Sequence, residues 1–132
     1  MTIVDPIQYT FAGNLPYSGI NLEPFAILAG AYLTNANLFI ADLTNADLTN
    51  AALYGVRSGG ITWIPHVLPT DWTLVNGRLI GRGADLSNAS LPDANLSFAD
   101  LGGANLVGAN LSGADLTGTR LFDATLTGAN LE

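Results

Sequence analysis

The stretch ADLTNADLTNAAL at residues 41–53 decides the fold, because it repeats itself every five residues. Leu43, Leu48 and Leu53 stand five apart, and two residues before each lies Ala41, Ala46 or Ala51. Traced backward, the leucines begin at Leu28. After a break they resume at Leu86 and recur at every fifth residue to Leu131. Alanines keep step from Ala26 to Ala129, with Thr119 the one substitute. Sixteen units of the form A-(D/N)-L-(S/T)-(G/N) result.

A period of five suits neither a helix at 3.6 residues per turn nor a strand at two. It suits a chain that turns a corner every five residues. Ala and Leu alternate about one polar residue, so both point inward while the polar residue points out. The unit closes on Gly or Asn in most copies, residues that tolerate positive φ and favour turns. Four corners close a square coil of 20 residues, and sixteen units make about four coils, each climbing about 4.8 Å at strand spacing.

The segments ADLTNADLTNAAL and ANLVGANLSGADLTG (104–118) resemble the pentapeptide-repeat family. That resemblance implies an all-β fold, a right-handed quadrilateral β-helix (solenoid), and a cyanobacterial source. It does not fix a function, since the fold hosts several roles.

The chain divides into four parts on this reading. Residues 1–25 lack a clean register and read as an N-terminal cap or degenerate first coil; 26–55 and 84–132 are the two repeat blocks. Between them, residues 56–83 break the register and read as a loop extruded from the second coil. This loop holds both tryptophans, Trp63 and Trp72, the one histidine, His66, and three of the four arginines. Within it, Asn76-Gly77 amid apolar alternation predicts a small hairpin over 72–80. If the column is continuous, Tyr54 and Phe122 share one face and Phe39 and Val107 the next. Trp63, His66, Trp72, Phe39, Tyr54 and Phe122 are therefore the candidate interaction or packing surface, with the tryptophans expected to cover the apolar strip. The structural ladder includes Leu43, Leu48, Leu96, Leu101, Leu106, Leu111 and Leu116.

Composition follows from this interior. Leucine (21) and alanine (18) supply 39 of 132 residues, whereas only 11% are charged, against roughly 25% in an average domain. The mean hydropathy of +0.33 reflects the ladder, for the longest apolar run, Phe25–Leu33, is far short of a spanning helix. No membrane association is expected, and the N-terminus lacks the basic start of a secretory signal, so a cytoplasmic protein is the expectation.

With a net charge of −7 and no lysine, the chain makes a poor partner for nucleic acid phosphates. The absence of cysteine removes disulfides and thiol chemistry. Neither a nucleophile elbow nor a phosphate-binding fingerprint is present. Asp42 and Asp47 sit around a corner from each other, and Asp47 and Asp115 are separated along the column, so no metal site is expected. Asp100 and Arg120 stack on neighbouring coils as a candidate surface ion pair. The expectation is a non-enzymatic protein-binding or scaffolding module with no cofactor and an unknown protein partner. A bare C-terminal coil, with part of its leucines open, predicts self-association. Some relatives are acidic mimics of DNA that bind DNA gyrase, which is the alternative. Here, however, the eight acids of the repeats scatter over all four sides.

Replacing the mid-column Leu106 by Ala is expected to lower unfolding stability by about 2–5 kcal/mol. Denaturant titration checks this, and an unchanged midpoint would show that the ladder is not the core.

Overall fold

The structure, a computed structural model, describes residues 25–132. The cap expected over 1–25 lies outside these residues except for Phe25. Each short extended side pairs in parallel with the side 20 residues further on. Ile27 bridges Asp47, Tyr32 bridges Ala52, and β1 (Asn37–Phe39) pairs with β2 (Arg57–Gly59). In the second block Asp85 bridges Asn105, Ser90 bridges Asn110, Asn95 bridges Asp115 and Asp100 bridges Arg120. Four sides of five residues thus complete one coil of a β-helix solenoid.

Two backbone bonds recur on each side. Leu28 N–H donates to Asp47 O at 2.8 Å, and Asp47 N–H donates back to Ala26 O at 3.0 Å. A third bond closes the corner, as where Ala31 N–H donates to Leu28 O at 3.0 Å. Inside, the ladder leucines Leu43, Leu48, Leu96, Leu101, Leu106 and Leu111 are at most 1% exposed. Each fully buried leucine contributes about 1.5–3 kcal/mol relative to exposure. Leu116 is only partly buried, because it belongs to the last coil, where Leu121 and Leu126 are also partly buried and Leu131 is 55% exposed.

Every fifth residue takes positive φ at the corner, from Gly30 and Asn35 through to Gly128. Gly118 shows why glycine recurs there: a Cβ at that site would lie 2.6 Å from the Phe98 ring, stacked one coil below. The outward Asp or Asn serves the same corner. Asp42, Asp47, Asp85, Asn95, Asp100, Asn105, Asn110 and Asp115 each accept, on Oδ1, the N–H two residues ahead. These are Asx-turns, which hold a bend by using a side chain in place of a backbone acceptor. The polar middle residue of the repeat is therefore a corner brace as well as a solvated position.

The insert departs from an extruded loop. Asp47 bridges Val67, 20 residues on, so the chain from 56 to 67 continues the solenoid as a further coil. Arg57 next bridges Asp85, 28 positions on, which makes this turn eight residues longer than the regular period. One side alone accordingly stacks five residues, Asn37, Arg57, Asp85, Asn105 and Thr125, more than about four coils would provide. The extra length emerges as a hairpin in which β3 (Thr73–Val75) pairs antiparallel with β4 (Arg78–Ile80). Asn76 and Gly77 form its turn at φ 48° and 72°, the pair of positive angles that a two-residue type I′ connection needs. A repeat pattern cannot reveal this coil, because its inward positions are filled by Val56, Ser58 and Ile61 in place of the Ala–Leu pairs.

The corner bonds give stability a pH dependence. The pKa values of Asp42, Asp47 and Asp115 lie below the ordinary 3.8, held there first by the hydroxyls of Thr44, Thr49 and Thr117 and next by the backbone N–H groups of the same residues. A carboxyl with a lowered folded pKa stabilises the fold above its unfolded value, and that contribution is lost as pH falls through the folded value. The thermal midpoint is expected to drop as pH is taken below about 3.8. Replacing the three aspartates by Asn keeps the backbone brace and should flatten that drop. An equally steep acid limb in the triple variant would show that these carboxyls do not carry it.

Candidate functional site

The non-repetitive chemistry of the described residues gathers where the hairpin meets the column. Here the ladder is interrupted at two rungs and refilled from elsewhere. Ser58 stands in the place of a ladder leucine, one coil from Leu38, and is 1% exposed. Its hydroxyl oxygen accepts Leu79 N–H at 2.8 Å, and its carbonyl accepts the Arg78 guanidinium at 2.7 Å. A buried hydroxyl without a partner would be costly, so the hairpin strand satisfies the polar rung that it covers. Arg78 also lies 5.8 Å from the centroid of the Phe39 ring, a cation–π contact, and burial lowers its pKa. Ile61 N–H donates to Gly77 O at 3.1 Å and ties down the hairpin tip.

Gly81 is the second interrupted rung. Ala84 N–H donates to Gly81 O as Ala89 N–H does to Leu86 O, which places Gly81 in the leucine register. A Cβ on Gly81 would run into the Trp72 indole, so Trp72 occupies the room that a leucine takes elsewhere. Trp72 packs against both halves of the core. Leu79 and Ile80, both 0% exposed, extend the core on either side of it. The hairpin is thus a wedge that joins two stacked blocks.

The residues singled out from the sequence separate into two groups. Phe39 and Trp72 are anchors of the wedge, and Tyr54 lies over Gly83, where a Cβ would meet its ring. Trp63 and Phe122 are 60% and 67% exposed, and His66 is exposed. The tryptophans therefore do not cover the apolar strip: Trp72 turns into the core, while Tyr54 and Phe122 keep most of their surface open. Asp100 and Arg120 stack in register, but among the described residues the ion pair forms on the next side, Arg57 Nε to Asp85 Oδ2 at 3.4 Å. With Arg57 more than half exposed, that pair is worth under about 1 kcal/mol. Ser58 and Gly81 had a signal in the sequence, namely polar and side-chain-free residues one and two coils from ladder leucines. Reading it requires the 28-residue offset, which only the structure supplies.

Beside the wedge lies an open cleft of about 530 Å³. One wall is Asp71, Trp72, Thr73 and Val75 from the hairpin; the facing wall includes Asn95, Phe98, Asp100 and Arg120 from the repeats. Phe98 is 78% exposed and sits at φ 60°, a left-handed conformation that costs a residue with a side chain roughly 1–2 kcal/mol. Among the described residues, no cluster of His, Asp or Glu could hold a metal ion, and no helix is long and apolar enough to cross a membrane.

Gly81→Leu restores the repeat pattern on paper. It is nevertheless expected to destabilise the fold by about 1–3 kcal/mol, because Trp72 must leave the rung. Unfolding stability and tryptophan emission report the result, and a stabilised variant with unshifted emission would refute the exchange of Trp72 for the ladder leucine.

No curated protein matches this sequence. Among solved structures, the chain is similar to HetL, a pentapeptide repeat protein involved in heterocyst differentiation regulation from the cyanobacterium Nostoc sp. strain PCC 7120. Identity is 32%, the match covers 88% of this chain and 54% of that one, and the TM-score is 0.38. The chain thus spans about half the length of HetL. The pentapeptide-repeat family model matches in eight copies over residues 25–55, 82–106 and 94–132. Because those matches span more than half the chain and coincide with the parallel 20-residue register, the chain belongs to the pentapeptide-repeat family.

Proposed function

We propose that this chain is a non-enzymatic protein-binding or scaffolding module whose contact surface is the hairpin-bearing coil and its surroundings. One observation carries the reading. The repeats mostly present small or polar side chains outward, whereas the insert holds Trp63 and Ile64 in the open, 60% and 76% exposed, on a coil fixed into the column. Large apolar side chains held in water on a rigid frame are characteristic of contact sites. The frame needs no rearrangement to present them, which keeps the ordering cost of association low.

The acidic DNA-mimic reading gains less support. Asp42, Asp47, Asp85, Asp100 and Asp115 are engaged as corner braces and lie on different sides of the column. Right-handed winding, a cyanobacterial source and a cytoplasmic setting complete the proposal and rest on the resemblance of the repeats. Self-association through the last coil rests on the partial exposure of Leu116, Leu121, Leu126 and Leu131.

The test is affinity capture from the source organism with the full chain and with the Trp63→Ser/Ile64→Ser variant. Both sites are exposed, so the thermal midpoint is expected to stay within about 0.5 kcal/mol equivalent of the parent. A protein captured by the parent and lost by the variant supports the reading. Equal capture by both moves the contact surface away from the insert.

A further inference from the structure

We propose that the cleft between the hairpin and the second repeat block binds an extended peptide segment of a protein partner, with a large apolar side chain next to a basic one. This deepens the binding-module reading and rests on it.

Hydrogen-bond bookkeeping along the column supplies the first observation. The outward residue of a side regularly donates its N–H to the coil below: Arg57 to Ala36 O, Asn105 to Ala84 O, Asp115 to Ala94 O and Arg120 to Ala99 O, at 2.8–2.9 Å or close to it. At the seam, Asp85 still reaches Val56 O at 2.9 Å. On the next three sides, the N–H groups of Ser90, Asn95 and Asp100 have no hydrogen-bond acceptor among the described residues. The hairpin wedge interrupts the coil below them, so a parallel sheet edge is left with free donors. Such an edge takes the carbonyls of an added extended strand.

Two of those three residues, Asn95 and Asp100, line the cleft. Its volume of about 530 Å³ accommodates one large side chain with its flanking backbone. Trp72 and Phe98 form apolar parts of opposite walls. Phe98 and Asp71, on facing walls, both hold positive φ, at 60° and 64°. Strained backbone of this kind collects at ligand clamps. The charge of the walls selects the partner: Asp71 and Asp100 outnumber Arg120, on a chain of net charge −7. A basic residue beside the apolar anchor complements them. The carbonyls of the segment accept from Asn95 and Asp100, the apolar side chain enters between Trp72 and Phe98, and the basic side chain meets the two carboxylates.

Selection of a displayed library of random 12-residue peptides against the full chain tests this directly. Enrichment of peptides with Phe, Leu or Trp adjacent to Lys or Arg is expected. Phe98→Gly, which relieves the left-handed strain and so keeps the fold, should weaken their binding at least tenfold. Hydrogen exchange at the Asn95 and Asp100 amides should slow at least tenfold in the bound state. Absence of any enriched peptide, equal binding by Phe98→Gly, or unprotected amides would each overturn the proposal. Those failures differ from failure of the binding-module reading, which shows as equal capture of partners by the parent and the Trp63→Ser/Ile64→Ser variant.

Discussion

The structure depends on one register: each five-residue side stacks in parallel on the side 20 residues away. That offset aligns leucine over leucine and alanine over alanine inside, and it places each outward N–H under a carbonyl of the coil below. The two effects reinforce each other. Slipping the pairing by one residue would turn the apolar positions outward, so the buried ladder specifies the register that the hydrogen bonds then hold. Because each coil touches only its neighbours, local errors stay local. An interruption can therefore be built into the middle of the column without disturbing its ends.

The interruption at 56–83 shows what such a column tolerates. A polar Ser58 and a bare Gly81 replace ladder leucines, and the hairpin compensates both. Leu79 N–H satisfies the serine hydroxyl, and the Trp72 indole fills the room over the glycine. Burying a hydroxyl or leaving a cavity would each cost a few kilocalories per mole if left alone. The hairpin supplies both remedies at once, which makes it a structural keystone of the seam. Its insertion also leaves N–H donors at Ser90, Asn95 and Asp100 without a coil beneath them. Stability of the core and an open edge at the surface arise from the same eight extra residues.

Legibility varied with locality. The corner period, the interior and the Asn76-Gly77 turn rest on near neighbours in the chain, and each has a direct mark in the residues. The brace role of the outward aspartates was also local, an Oδ1 reaching an N–H two residues ahead, but solvation offers an equally simple reading of a surface carboxylate. Trp63 and Trp72 could not be told apart from composition. Both are tryptophans in an irregular segment, yet one is in the core and the other in the open. Their fates depend on which rung of the next coil lies beneath them, and that depends on the 28-residue offset between Arg57 and Asp85.

The amino-acid sequence by itself determined the family, the five-residue corner and the identity of the ladder, because each is written in a period short enough to repeat sixteen times. The tertiary structure alone decided that the irregular segment is largely a coil of the column, that Ser58 and Gly81 are rungs, and that a cleft opens beside Trp72 and Phe98. The physical reason is the range of the contacts. Periodic packing is encoded by every unit, whereas the wedge rests on single long-range meetings, Ser58 with Leu79, Phe39 with Arg78 and Trp72 with Gly81, that nothing repeats.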